Sequence, residues 1–247
     1  MRTALKLLLA VAILTVSAVV GGKNLSFLLD GSPRRKAPDR REIALRVLGE
    51  SLAGEFAGQT ALIISNPFTR QPSQPREVYE FEEAGVRGLK EGWGGRIQLR
   101  EIVFPDLRPE ALTHPSAALI DPHTTTPLSF LTAPGAWDSL LAKYPDADLV
   151  VSLIGLPADL RSLEIWRNLK PRFALLFPDL RMIGNWAEVQ RAVRSGKIAA
   201  MVLQKPGSPP EAAGIASDYR KEFDRRFVLV TARNIDEWNV GLEKSSH

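Results

Sequence analysis

Six short β-rich runs alternate with stretches of helical period, and that alternation predicts a three-layer, doubly wound α/β domain with a mostly parallel sheet of about six strands. The runs are Thr60 to Asn66, Arg96 to Phe104, Asp148 to Pro157, Arg172 to Phe177, Lys197 to Leu203 and Arg226 to Thr231, each ending in or beside a polar residue, glycine or proline. The third, D-L-V-V-S-L-I-G-L-P, is nearly continuous in apolar residues, as a strand covered on both faces must be, so it belongs at the centre. The predicted strand order resembles 2-1-3-4-5, with a sixth strand at the edge.

The elements follow in order. Asp39 is a helix N-cap, and Leu45, Leu48, Leu52 and Phe56 form one stripe of the helix that it starts. After the first strand, a helix from Glu77 presents Val78, Phe81, Gly85 and Leu89, and Gly92-Trp93-Gly94-Gly95 stops it. Arg96 to Phe104 reads as a strand nearer the edge. Residues 105–132 fit neither period; a stretch of that length inside a compact domain is functional or disordered. A short helix over Pro134 to Tyr144 feeds the central strand, and the next carries Leu160, Leu163, Trp166 and Leu169 at core spacing. Asn185 with Glu188 three residues on makes a capping box for a helix bearing Trp186, Val189 and Val193. Tyr219 and Phe223 mark the last helix.

Composition excludes several classes. Hydrophobic content of 45% and charged content of 24% are those of a globular chain. A net charge of +4 with 28 acidic residues argues against nucleic-acid binding. The absence of cysteine removes thiol catalysis, disulfides and cysteine metal sites.

Arg2 and Lys6 precede an apolar run from Leu7 to Val20, so residues 1–22 read as a signal peptide or membrane anchor. Residues 23–38, with Arg34, Arg35 and Lys36 among prolines, read as a basic linker, and 39–247 as one α/β domain. The expected location is periplasmic or otherwise extracytoplasmic, at the inner membrane if the anchor is retained. Membrane contact is then through the N-terminal segment.

In an open parallel sheet, ligands sit beyond the carboxyl ends of the strands, where strand order reverses. That rule selects Ser65, Asn66, Asp106, Asp179 and Lys205 as candidate ligand-binding residues, and Thr124, from the 105–132 stretch, joins them as a hydroxyl suited to a sugar or carboxylate; singly, each also serves as an ordinary turn or loop residue. No G-x-G-x-x-G follows the first strand, no G-K-[ST] occurs, and no G-x-S-x-G elbow is present, so no dinucleotide, P-loop or serine-hydrolase signature stands. No cofactor is implied. His114, Asp121 and His123, with Asp106, form the remaining metal-ligand candidate, His-x6-Asp-x-His in an irregular loop.

The strand T-A-L-I-I-S-N-P, the alternating units and the central D-A-D-L-V-V-S-L-I-G-L-P together resemble one lobe of a type I periplasmic binding protein, over roughly Thr60 to Thr231. The resemblance implies solute capture between two lobes, and this chain has length for one. It carries no residue-specific ligand motif. Three classes are left: a small-molecule binding or sensing module at the envelope, with a small polar ligand; a structural or partner-binding envelope protein, its partner a second lobe or another envelope protein; and a metal-assisted hydrolase using the 106–123 loop.

Overall fold

The computed structural model describes residues 39–72, 74–113, 124, 126–210 and 212–238. Strands β1 (Thr60–Ile64), β2 (Gln98–Val103), β3 (Leu149–Ser152), β4 (Arg172–Leu176), β5 (Ile198–Gln204) and β6 (Phe227–Val230) form one sheet in the order β2-β1-β3-β4-β5-β6. The first five run parallel and β6 is antiparallel to β5. This is the predicted α/β class and strand order. Arg100 is an extra residue in β2, since Ala61 pairs with Leu99 and Leu62 with Glu101.

Alternate strand residues feed two cores, as the pleat requires. On one face Ala61, Ile63, Leu149, Val151, Ala174 and Val202 meet helix α1 (Arg40–Glu55), helix α2 (Arg76–Trp93) and, later in the chain, helix α8 (Tyr219–Arg226). The predicted α1 stripe of Leu45, Leu48, Leu52 and Phe56 is at most 1% exposed. Each such side chain contributes roughly 1.5–3 kcal/mol by leaving water. On the other face Leu62, Ile64, Val150, Phe173 and Met201 meet α5 (Ala136–Leu141) and α7 (Trp186–Arg194). Trp137 and Trp186 fill this core, and the expected Asn185–Glu188 capping box is present. The short helices α3 (Pro109–Thr113), α4 (Leu128–Leu131) and α6 (Glu164–Arg167) complete the set among the described residues.

Helices α1 and α2 touch backbone to backbone. A Cβ at Gly88 would lie 2.1 Å from the Glu42 carbonyl oxygen, and one at Gly92 2.2 Å from that of Arg46. Neither neighbour is a side chain that can turn away. Gly88→Ala is therefore expected to cost about 2–3 kcal/mol by forcing the helices apart, read as a lower midpoint in urea with an unchanged slope.

Two helical expectations need correction. Phe81, placed on the buried stripe of α2, is 43% exposed and lies under the Arg41 guanidinium, 4.4 Å from its ring centroid. Leu169, placed at core spacing, is 89% exposed. The helix expected there splits into a 3-10 turn at Leu160–Ser162 and α6, because Leu163 between them is extended and Asp138 caps the new start through the amides of Glu164 and Ile165. Ile165 takes the buried place instead.

Among the described residues no helix is long and apolar enough to cross a membrane. The leader or anchor (1–22) and the basic linker (23–38) lie outside them.

Candidate functional site

After β1 the chain turns to β2 on one side and later returns to β3 on the other, so the order reverses between β1 and β3. The crevice there is filled by the protein itself. Arg41, in the first turn of α1, donates to Glu82 Oε1 of α2 at 2.7 Å and to the Leu153 carbonyl just past β3 at 3.0 Å. Ser65, just past β1, donates its hydroxyl to Glu82 Oε2 at 2.7 Å. All three side chains are buried. The pair satisfies its own charges, and either partner alone would be left as an uncompensated buried ion.

On the other side of the sheet, the chain just past β3 is covered by the segment from Thr126 to Ser129. Thr126 packs on Gly155, where an added Cβ would lie 2.9 Å from the threonine methyl, and Gly155 has φ 77°. Ser129 donates to the Thr126 hydroxyl and accepts from the Ala158 amide through its carbonyl. Asp179 accepts from the Arg181 amide at 3.1 Å and from its guanidinium at 2.9 and 2.5 Å. Burial alone would push the Asp179 carboxyl up, but the Arg181 guanidinium and the Thr124 hydroxyl hold it below the usual carboxylate range.

The six residues selected from the sequence therefore do not share one site. Thr124 and Asp179 meet each other, Ser65 meets Glu82, and Asn66 caps a 3-10 turn through the Phe68 amide. Asp106 is exposed. Lys205 lies past β5, bonded to the Asp224 carbonyl, and lines a small cavity of about 280 Å³ beside α8 and β6.

An open groove of about 520 Å³ begins at the carboxyl ends of β1 and β2 and runs down between α2 and β2. Its upper end has Ser65, Arg70, Tyr79 and Phe104, and its floor has Val86 and Ile102. The groove exists because β2 is an edge strand and α2 is drawn towards α1 by the glycine contacts, leaving part of β2 uncovered.

No protein-family model matches the chain, and no curated protein matches it. Among solved structures the chain is similar to several solute-binding proteins, at low identity. A sugar ABC transport substrate-binding protein from Bordetella parapertussis is 14% identical, with 83% of this chain and 59% of that one covered and a TM-score of 0.46. A periplasmic solute-binding protein from Actinobacillus succinogenes with bound D-allose is 10% identical, with 82% and 62% covered and a TM-score of 0.44. The XylFII–LytSN complex gives 12%, 78%, 60% and 0.42. The chain spans about three fifths of the length of these structures.

Sequence reasoning did not select Arg41, Glu82, Arg70 or Lys90. Arg41 reads as an ordinary basic residue in the first turn of a helix, and Glu82 as one of many surface acids on a helix; only their meeting across α1 and α2 makes them a pair. No signal in the sequence marks that meeting. Among the described residues no group of three His, Asp or Glu side chains is placed to hold a metal. His114, Asp121 and His123 lie outside the described residues.

Proposed function

We propose that this protein is a small-molecule binding or sensing module of the cell envelope, taking its ligand in the groove between α2 and β2. The observation that carries the reading is that groove, of about 520 Å³, open at the strand ends and backed by the Ser65–Glu82–Arg41 cluster. Its size is that of an ordinary small-molecule site, and it joins an apolar floor to a few polar groups. Export rests on the run from Leu7 to Val20 behind Arg2 and Lys6, with a retained anchor as the alternative. Solute binding is the role of the substrate-binding proteins named above; here it rests on the groove. A second lobe from another chain would complete a cleft over the strand ends.

A thermal-shift screen of the full chain against sugars, amino acids, nucleotides, carboxylates and divalent metals tests it. A ligand at 100 times its Kd adds about 2.7 kcal/mol, a rise of roughly 5–10 °C for a domain of this size. A flat response to every class removes the reading. A zinc response lost in His123→Ala would instead support metal-assisted hydrolysis at the 106–123 loop.

One observation favours a second reading, a partner-binding envelope protein. The outer edge of β2 has no partner strand among the described residues, and the groove is open along its length.

A further inference from the structure

Resting on the groove as the ligand site, we infer that its ligand is an anionic amphiphile, a carboxylate or phosphate head on an apolar body. The argument is a count of what the lining groups still have to offer. The hydroxyl protons are spent inside the protein: Ser65 donates to Glu82 at 2.7 Å, Thr69 to the Asn66 carbonyl at 2.7 Å, and Tyr79 to the Gln71 carbonyl at 3.2 Å. Half of the six lining charges are spent too. Glu82 holds Arg41 at 2.7 Å, Arg87 holds Glu42 at 2.6 Å, and Glu91 holds Arg46 at 3.3 Å.

Two cations remain. Among the described residues neither Arg70 nor Lys90 has an acidic partner, and Glu83 is the one lining acid without a basic one. Arg70 lies over the Phe104 ring, 5.4 Å from its centroid, at the strand-end mouth of the groove. Lys90 lies on α2, eleven residues past Tyr79 and so about 16 Å further down the helix. Between them runs the floor of Val86 and Ile102. A neutral polyol would meet hydroxyls that have already given their protons. An anion with an apolar body meets a cation at either end and an apolar surface between.

The test uses sodium octanoate as the probe, with octanol and glucose as neutral controls, on the full chain and on the Arg70→Gln/Lys90→Gln double variant. Both positions are exposed, so the variant is expected to fold as the parent does. Octanoate is expected to raise the melting temperature while octanol does not, and its affinity is expected to fall about tenfold in the double variant. Vesicles of phosphatidylglycerol separate the two sources of such a head. Binding of both octanoate and vesicles, each lost in the double variant, assigns a lipid, and octanoate alone assigns a free solute. Equal binding of octanol, or unchanged octanoate affinity in the double variant, overturns the inference. Vesicle capture without octanoate binding also overturns it, by moving the contact from the groove to a bilayer surface. A response to glucose or another neutral solute with none to octanoate overturns it and leaves the groove as a ligand site. Silence from every compound removes both.

Discussion

Glu222→Gln is expected to lower the stability of this protein by about 3 kcal/mol, because it leaves a buried guanidinium without its counter-ion. Glu222 is 0% and Arg226 3% exposed, and the two are bonded one turn apart on α8. The carboxylate also accepts from the Ala216 amide at 2.9 Å and from Arg225. Arg226 in turn donates to the carbonyls of Pro209, Pro210 and Ala213, so the pair pins the connection between β5 and α8. Scaled to a domain of this size, the loss lowers Tm by roughly 10 °C, and proteolysis near 206–216 is expected to quicken. Arg225→Gln is the control: its side chain is 40% exposed, and its loss is expected to cost under about 1 kcal/mol. Burial alone would raise the Glu222 carboxyl, but the Ala216 amide and the two arginines hold it below the ordinary 4.5. Its stabilisation is therefore complete above about pH 4.5 and is lost as the pH falls through the lower folded value. The Gln variant is expected to lack that slope; a variant as stable as the parent, with the same acid slope, would refute the assignment.

Lys197→Met is expected to cost about 3 kcal/mol, since the methionine fills the space of the stem but leaves the buried Ile165 carbonyl and the part-buried carbonyls of Asn168 and Pro171 without their donor. The Lys197 ammonium donates to the carbonyls of Ile165 at 2.6 Å, Asn168 at 2.7 Å and Pro171 at 2.8 Å. These close the end of α6 against the start of β4. The ammonium also sits 5.0 Å from the Phe173 ring centroid. Burial pulls its pKa down to about 8, so it is charged at neutral pH and supplies all three donors. Because the unfolded value is near 10.5, the unfolded chain binds more protons between about pH 8 and 10.5, and this group's contribution to stability rises with pH there. Chemical denaturation of parent and variant across that window measures it. Equal stability of the two at pH 7 would show that the carbonyls need no donor.

The strands were legible because a buried strand has a short, near-continuous apolar signature that no neighbour can alter. Thr60–Ile64 and Leu149–Ser152 fall inside the runs that predicted them. Helix faces were legible where the sheet lies squarely beneath them, as for Leu45, Leu48, Leu52 and Phe56. They failed at Phe81 and Leu169, where a cation on another helix and a distant aspartate cap changed what the local period implied. The candidate site was less legible for the same reason. Ser65 could be chosen because strand ends are visible in the sequence, whereas its partner Glu82 comes from the next helix and Arg41 from the one before. Asp179, chosen as a strand-end group, and Thr124, chosen from the loop, satisfy each other.

By itself the sequence determined the α/β class, the six strands and their order, because apolar patterning and the rules of parallel crossovers leave few alternatives. Tertiary structure alone decided which polar groups at the strand ends are spent on one another and which face solvent. That outcome depends on the close approach of α1 and α2 at Gly88 and Gly92 and on the partial exposure of β2 that follows. Hydrogen-bond partners and charge pairs between elements are set by distances of a few ångströms, which residue spacing along the chain does not encode.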